Sequence, residues 1–149
     1  MGVLNSRCAF EFLQRTCTTL GDEEKGGRVR FFREYLLNLP VPNGERENVG
    51  ALAKEAQRLH TQRRKRVEKF LFGIGLSPAA SSSRNPLEEP WKMTEEQFAR
   101  RVGGLPQRLF AEARDETAAL TEQILKIERE IDERMAALYG VPLPEKSTP

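Results

Sequence analysis

LTEQILKIEREIDERMAAL, residues 120–138, places Leu120, Ile124, Ile127, Ile131 and Leu138 at spacings of 4, 3, 4 and 7. Apolar residues recurring in this way lie along one side of an α-helix, and Gly140 just beyond them is a good C-terminal stop. A helix with one apolar seam must bury it against another element. The candidate is a second helix over residues 47–72, in which Leu52, Ala56, Leu59, Val67, Phe70 and Leu71 are available for one stripe before Gly73 and Gly75. Two long helices with one seam each predict an antiparallel hairpin.

Charge supports the same pairing. The 149 residues carry a net charge of only +2, which hides an uneven distribution. Residues 58–69 hold Arg58, Arg63, Arg64, Lys65, Arg66 and Lys69 against the single acid Glu68. Residues 112–134 hold eight acids against four bases. Each exposed ion pair adds only ~0–1 kcal/mol, so attraction assists the pairing while the seams drive it.

Between the helices, residues 73–93 are rich in Gly, Ser and Pro and read as a linker. Residues 94–140 then begin with Thr94 and Gln97, a capping box that predicts a short helix over about 95–102. Pro106 suits the first turn of the long helix that follows. At the other end, Asn5 or Ser6 can cap a helix over about 6–19 carrying Ala9, Phe10, Leu13 and Cys17. Residues 21–27 break it, and Arg28-Val29-Arg30-Phe31-Phe32 alternates basic and apolar side chains as a half-buried strand does. Glu34 to Asn38 makes one helical turn, which Pro40 and Pro42 forbid from continuing. The expected organisation is a helix–strand unit over 1–46, a basic helix over 47–72, the 73–93 linker, the 94–140 helices and a disordered tail over 141–149. The expected fold class is mainly α with a small β element, α+β.

Four short blocks carry a family resemblance: Val3-Leu4-Asn5-Ser6, Lys25-Gly26-Gly27 before the strand, Leu39-Pro40-Val41-Pro42, and Ile131 to Val141 (IDERMAALYGV). In order and spacing they resemble the TaqI-like C-terminal specificity domain of adenine-specific DNA methyltransferases and fused restriction-modification enzymes. Lys25 stands where that family usually has Arg. The resemblance implies a DNA target-recognition fragment that binds double-stranded DNA and is non-catalytic by itself. It also implies a methyltransferase domain or subunit upstream that holds S-adenosylmethionine.

The basic groups are the candidate DNA-reading residues. On a strand, Arg28 and Arg30 share one face and Val29 and Phe31 the other. Arg binds phosphate oxygens or reads guanine bidentately. Lys25 and Arg33 extend this patch, and Gly26-Gly27 permit close approach to a DNA backbone. The competing reading is a strand edge protected by charge. Arg63 and Arg64 are further candidates, although four consecutive bases cover a full helical turn, so only part can face one duplex. Solvation, or pairing with the acidic helix, competes there.

No catalytic residue is assigned. Leu71-Phe72-Gly73-Ile74-Gly75 contains glycines but follows a charged helix, whereas a cofactor loop follows a strand and opens a helix. Asn85-Pro86-Leu87-Glu88 lacks the second proline and the aromatic that hold a flipped adenine. His60 sits in a basic run and reads as a helix-surface residue. Cys8 and Cys17, nine apart, point to opposite faces of a helix and read as reduced thiols. With one His they do not make a zinc site, and no metal is expected. No apolar run approaches the ~20 residues that cross a bilayer, and no secretory signal is evident, so the expected location is cytoplasmic and no membrane partner is assigned. Two other function classes fit the same composition, a helical protein–protein interaction module with a charged hairpin and a non-specific nucleic-acid binder. Because both methyltransferase motifs fail on context, calorimetric titration of the chain with S-adenosylmethionine should give no binding heat. Stoichiometric micromolar binding would contradict this reading.

Overall fold

The long acidic segment is one helix, Gln107–Tyr139, and the basic segment another, Arg46–Gly73. The structure, a computed structural model, describes residues 4, 6–17, 19–20, 28–29, 33–41, 44, 46–76, 85–103 and 107–143. Five α-helices lie within these residues: α1 Arg7–Thr16, α2 Arg33–Leu37, α3 Arg46–Gly73, α4 Glu95–Val102 and α5 Gln107–Tyr139. Among the described residues, extended pairing is confined to Thr19–Leu20 against Arg28–Val29, two residues a side.

The fold is therefore all-helical, which corrects the expected α+β class. A ladder of two residues is shorter than ordinary strands of ~3–10 residues. Of the expected strand only Arg28 and Val29 are in that ladder, while Arg30, Phe31 and Phe32 lie outside the described residues. So do Asn5, Lys25, Gly26, Gly27, Pro42, Pro106, linker residues 77–84 and tail residues 144–149.

The helix ends follow their sequence signals. Ser6 caps α1 by accepting from the Ala9 amide. The capping box at α4 is complete, with Thr94 and Gln97 bonding each other's backbone amides. After α3, the Leu76 amide reaches the Leu71 carbonyl and the Gly75 amide the Phe72 carbonyl. Gly75 takes φ +74° to close this six-residue turn. Gly140, at φ +62°, closes the same motif after α5 through the Val141-to-Ala136 bond. A side chain at either glycine would strain the left-handed turn.

The chain divides into two compact units, Met1–Lys54 with Ile127–Pro149, and Glu55–Lys126. The division cuts through both long helices, not between the segments expected from the sequence. In the second unit, Val67, Phe70 and Leu71 of α3, with Ile74 of the turn that follows it, pack with Phe98 of α4 and Phe110 and Ala113 of α5. Phe98 and Phe110 stack, with centroids 4.4 Å apart and planes 6° from parallel, and Phe70 tilts against both. Within this unit the helices run antiparallel: Arg63 bonds Thr121, and Arg66 pairs with Glu116.

Part of the expected linker belongs to this core. Residues 86–88 and 90–92 form two 3₁₀ turns, and Leu87, Pro90 and Met93 are buried. Asn85 caps the first turn by accepting from the Leu87 amide. The prolines that read as breakers fix φ for these tight turns and so hold apolar side chains against the aromatic cluster.

In the first unit, Val49, Ile131 and Met135 form a smaller core with Leu52, Ala53, Ile127, Leu138 and Tyr139 packed around it. Ala9, Leu13 and Cys17 are buried at a spacing of four, whereas Phe10, one position around the helix, is half exposed.

Phe98→Ala should cost about 3–5 kcal/mol in urea unfolding, because it removes a fully buried stacked ring. Leu125→Ala, at an exposed position, should stay within about 0.5 kcal/mol of the parent. Equal costs would show that the aromatic cluster is not the core of this unit.

Candidate nucleic-acid interface

A carboxylate buried among apolar residues needs charged or hydrogen-bonded partners, and Asp132 has both. It is 6% exposed. One oxygen accepts from the Arg7 backbone amide at 2.8 Å, and the other lies 3.1 Å from the Arg7 guanidinium Nε. Arg7 is the first residue of α1, where amides lack intrahelical acceptors and the helix dipole is positive. A single carboxylate thus satisfies a free amide, neutralises an arginine and fixes the start of α1 on α5.

A second tie closes the same unit. The Tyr139 hydroxyl donates to the Pro40 carbonyl at 2.5 Å. Between these ties lies a cleft of about 430 Å³ lined by Cys8, Glu11, Phe12 and Arg15 of α1, Leu39, Pro40, Tyr139, Val141 and Pro142. Burial, then the nearby Asp132 and Glu11 carboxylates, push the Cys8 thiol above its ordinary pKa. Burial, then Cys8, raise the Tyr139 phenol likewise. Both groups are therefore neutral at physiological pH and act as hydrogen-bonding or packing groups.

Two of the four family-like blocks touch directly in this unit, and the residue after a third reaches one of them. Arg7, next to the first block, bonds Asp132 of the last block, and Tyr139 of that block donates to Pro40 of the third. The residues are separated by 125 and 99 positions along the chain. The sequence placed Asp132 with the solvated acids and left Arg7 unremarked. The available signal was position: Asp132 adjoins Ile131 and precedes Met135 by three residues, on the flank of the seam.

Of the candidate DNA residues, Lys25, Gly26, Gly27 and Arg30 lie outside the described residues. Arg28 contributes its backbone to the short ladder, and Arg33 opens α2 at an exposed position. Arg63 donates to the Thr121 hydroxyl at 2.9 Å and lies 4.4 Å from the centre of the Trp91 ring. It is occupied inside its unit. Arg64 pairs with Glu68 at 2.8 Å, Arg66 with Glu116 at 3.3 Å and Arg58 with Glu55 at 2.6 Å. The Arg58 hydrogen bond holds the Glu55 carboxyl below the usual carboxylate range.

Of the two segments compared with methyltransferase motifs, residues 71–75 hold glycines and residues 85–88 hold none. Gly73 is the last residue of α3 and Gly75 closes its terminal turn, so no strand leads into the loop. The Asn85 carboxamide is engaged as a cap. Among the described residues no three His, Cys, Asp or Glu side chains converge as metal ligands. No helix among them is long and apolar enough to cross a membrane. Comparison of the chain with protein-family models, with curated proteins and with solved structures gives no match.

The raised thiol pKa makes a direct test of the cleft. In a Cys17→Ser variant, Cys8 should alkylate more slowly at pH 7–8 than an unburied thiol of pKa ~8.5, since less of it is thiolate. Its rate should rise with an inflection above that value. An inflection at or below the ordinary value would show that Cys8 is not buried beside carboxylates.

Proposed function

We propose that this chain is the DNA target-recognition part of an adenine-specific DNA methyltransferase or of a fused restriction-modification enzyme, non-catalytic by itself. The observation that carries the reading is the meeting of separated blocks. Two sequence blocks that resemble the TaqI-like specificity domain lie 99 residues apart yet touch directly through Pro40 and Tyr139, and Arg7, the residue that follows a third such block, bonds Asp132 of the last one. Residues whose only common property is such a resemblance have no physical reason to touch. Residues that build one recognition unit do.

On this reading the Lys25–Arg33 segment supplies the reading groups. Lys25, Gly26, Gly27, Arg28, Arg30 and Arg33 offer four cations and a backbone free of side chains, the chemistry that approaches phosphates and base edges. The methyl donor, S-adenosylmethionine, and the transfer chemistry belong to an upstream catalytic domain or subunit, and the chain acts on a double-stranded substrate. A cytoplasmic setting, where such DNA is accessible, goes with this proposal.

Selection from a random duplex library on the immobilised chain tests the reading. A shared motif should be enriched, and Arg28→Ala or Arg30→Ala should weaken binding by ~1–3 kcal/mol and relax one motif position if that side chain reads a base. Failure to retain duplex at 50 mM salt, or retention without any enriched motif, would contradict it.

A further inference from the structure

The arginines of the basic run are largely engaged with the protein, but the lysines are not. No carboxylate among the described residues pairs with Lys65 or Lys69, and both are exposed. Arg58, Thr61, Lys65, Lys69 and Phe72 follow one another on α3 at spacings of 3, 4, 4 and 3. At ~100° per residue these spacings keep all five on one stripe, about 21 Å long at ~1.5 Å per residue. Ala56, Leu59, Val67, Phe70 and Leu71 are buried on the other side of the helix. The stripe ends at Phe72, whose ring is 85% exposed although it is the kind of side chain a helix normally buries.

The neighbouring acids are already compensated: Glu55 by Arg58, Glu68 by Arg64 and Glu116 by Arg66. Lys65 and Lys69, one helical turn apart, are thus left as adjacent positive charges on a straight rod. We propose that this outer face of α3 is a backbone contact for double-stranded DNA, in which Lys65 and Lys69 bind phosphates and Phe72 packs on the sugar edge beside them. The proposal rests on the reading of the chain as a DNA-recognition part and adds a surface to it. Charge complementarity selects the partner. Duplex DNA carries a phosphate every ~3.4 Å along each strand, so a row of this length meets several. An interfacial membrane helix needs a broad exposed apolar face. Here that face of α3 is buried in the core, and a single ring remains outside.

These groups contact the backbone and not the bases, so their loss should act equally on all sequences. Binding titrations of the whole chain on cognate and unrelated duplexes at several salt concentrations read this out. For the double variant Lys65→Gln, Lys69→Gln, the slope of log affinity against log salt should fall by about 1.8, at ~0.9 per phosphate. Affinity should drop at least about tenfold at 0.1 M salt for both duplexes, with their ratio unchanged. Phe72→Ser should weaken binding without altering the slope, since the ring carries no charge. All three positions are exposed, and unchanged melting confirms folding. A parent chain that binds duplex while the double variant keeps its affinity and slope overturns this inference and leaves the recognition reading standing. A parent chain that binds no duplex overturns both. Binding of phosphatidylserine vesicles lost in the variants, with DNA binding intact, also overturns the inference in favour of a membrane.

Discussion

Asp132 is the constraint on which the first unit depends. Its carboxylate lies among Ile131, Met135 and Ala136, all buried, where an uncompensated charge would be very costly. It is tolerable because the Arg7 amide and guanidinium both reach it. The amide comes from the first turn of α1, where the helix dipole adds to the attraction. The same contact therefore stabilises a helix start and sets which residue of α1 meets which turn of α5. The neighbouring Cys8 then enters the cleft, and the Tyr139 bond to Pro40 completes its wall.

In the second unit the organising contacts are aromatic. The stacked Phe98 and Phe110, with Phe70 tilted against them, fix where α4 and the two long helices meet. Trp91, carried by the second 3₁₀ turn, packs against the edge of that cluster and receives the Arg63 guanidinium on its ring. One consequence concerns charge. Arginine, with its planar fork, is suited to stacking and to bidentate pairing. In this helix Arg63 stacks on Trp91 while Arg58, Arg64 and Arg66 pair with carboxylates, leaving the lysine ammonium groups of Lys65 and Lys69 without one among the described residues.

The two long helices were legible from the sequence because their apolar spacing and their glycine stops are local signals that packing here does not override, and the capping box at Thr94 marked the short α4 in the same way. The α+β class was read from the alternation of Arg28-Val29-Arg30-Phe31-Phe32, of which the structure describes only Arg28 and Val29, and the pairing there is two residues a side. Pro86 and Pro90 were misread as linker because proline marks tight 3₁₀ turns as readily as it marks loops. Leu87 and Met93 reach the core from there. Asp132 was hidden for a different reason. Only its place on the flank of the seam, beside Ile131, sets it apart from the seven other acids of its segment, and its partner lies 125 residues away. For the candidate DNA residues, the run at 63–66 gave the right helix but no way to tell which bases turn inward. That depends on Trp91, Thr121 and Glu116.

The central claim is that sequence blocks at opposite ends of the chain form one unit through Asp132 and Arg7. A double-mutant cycle on Arg7→Ala and Asp132→Ala, measured by urea unfolding, isolates that coupling from each residue's other roles. A partly buried pair in direct contact should show an interaction energy of about 1–2 kcal/mol, with the double variant less destabilised than the sum of the single ones. Costs that add to within about 0.3 kcal/mol would mean that the two ends do not meet through this pair, and would contradict the account.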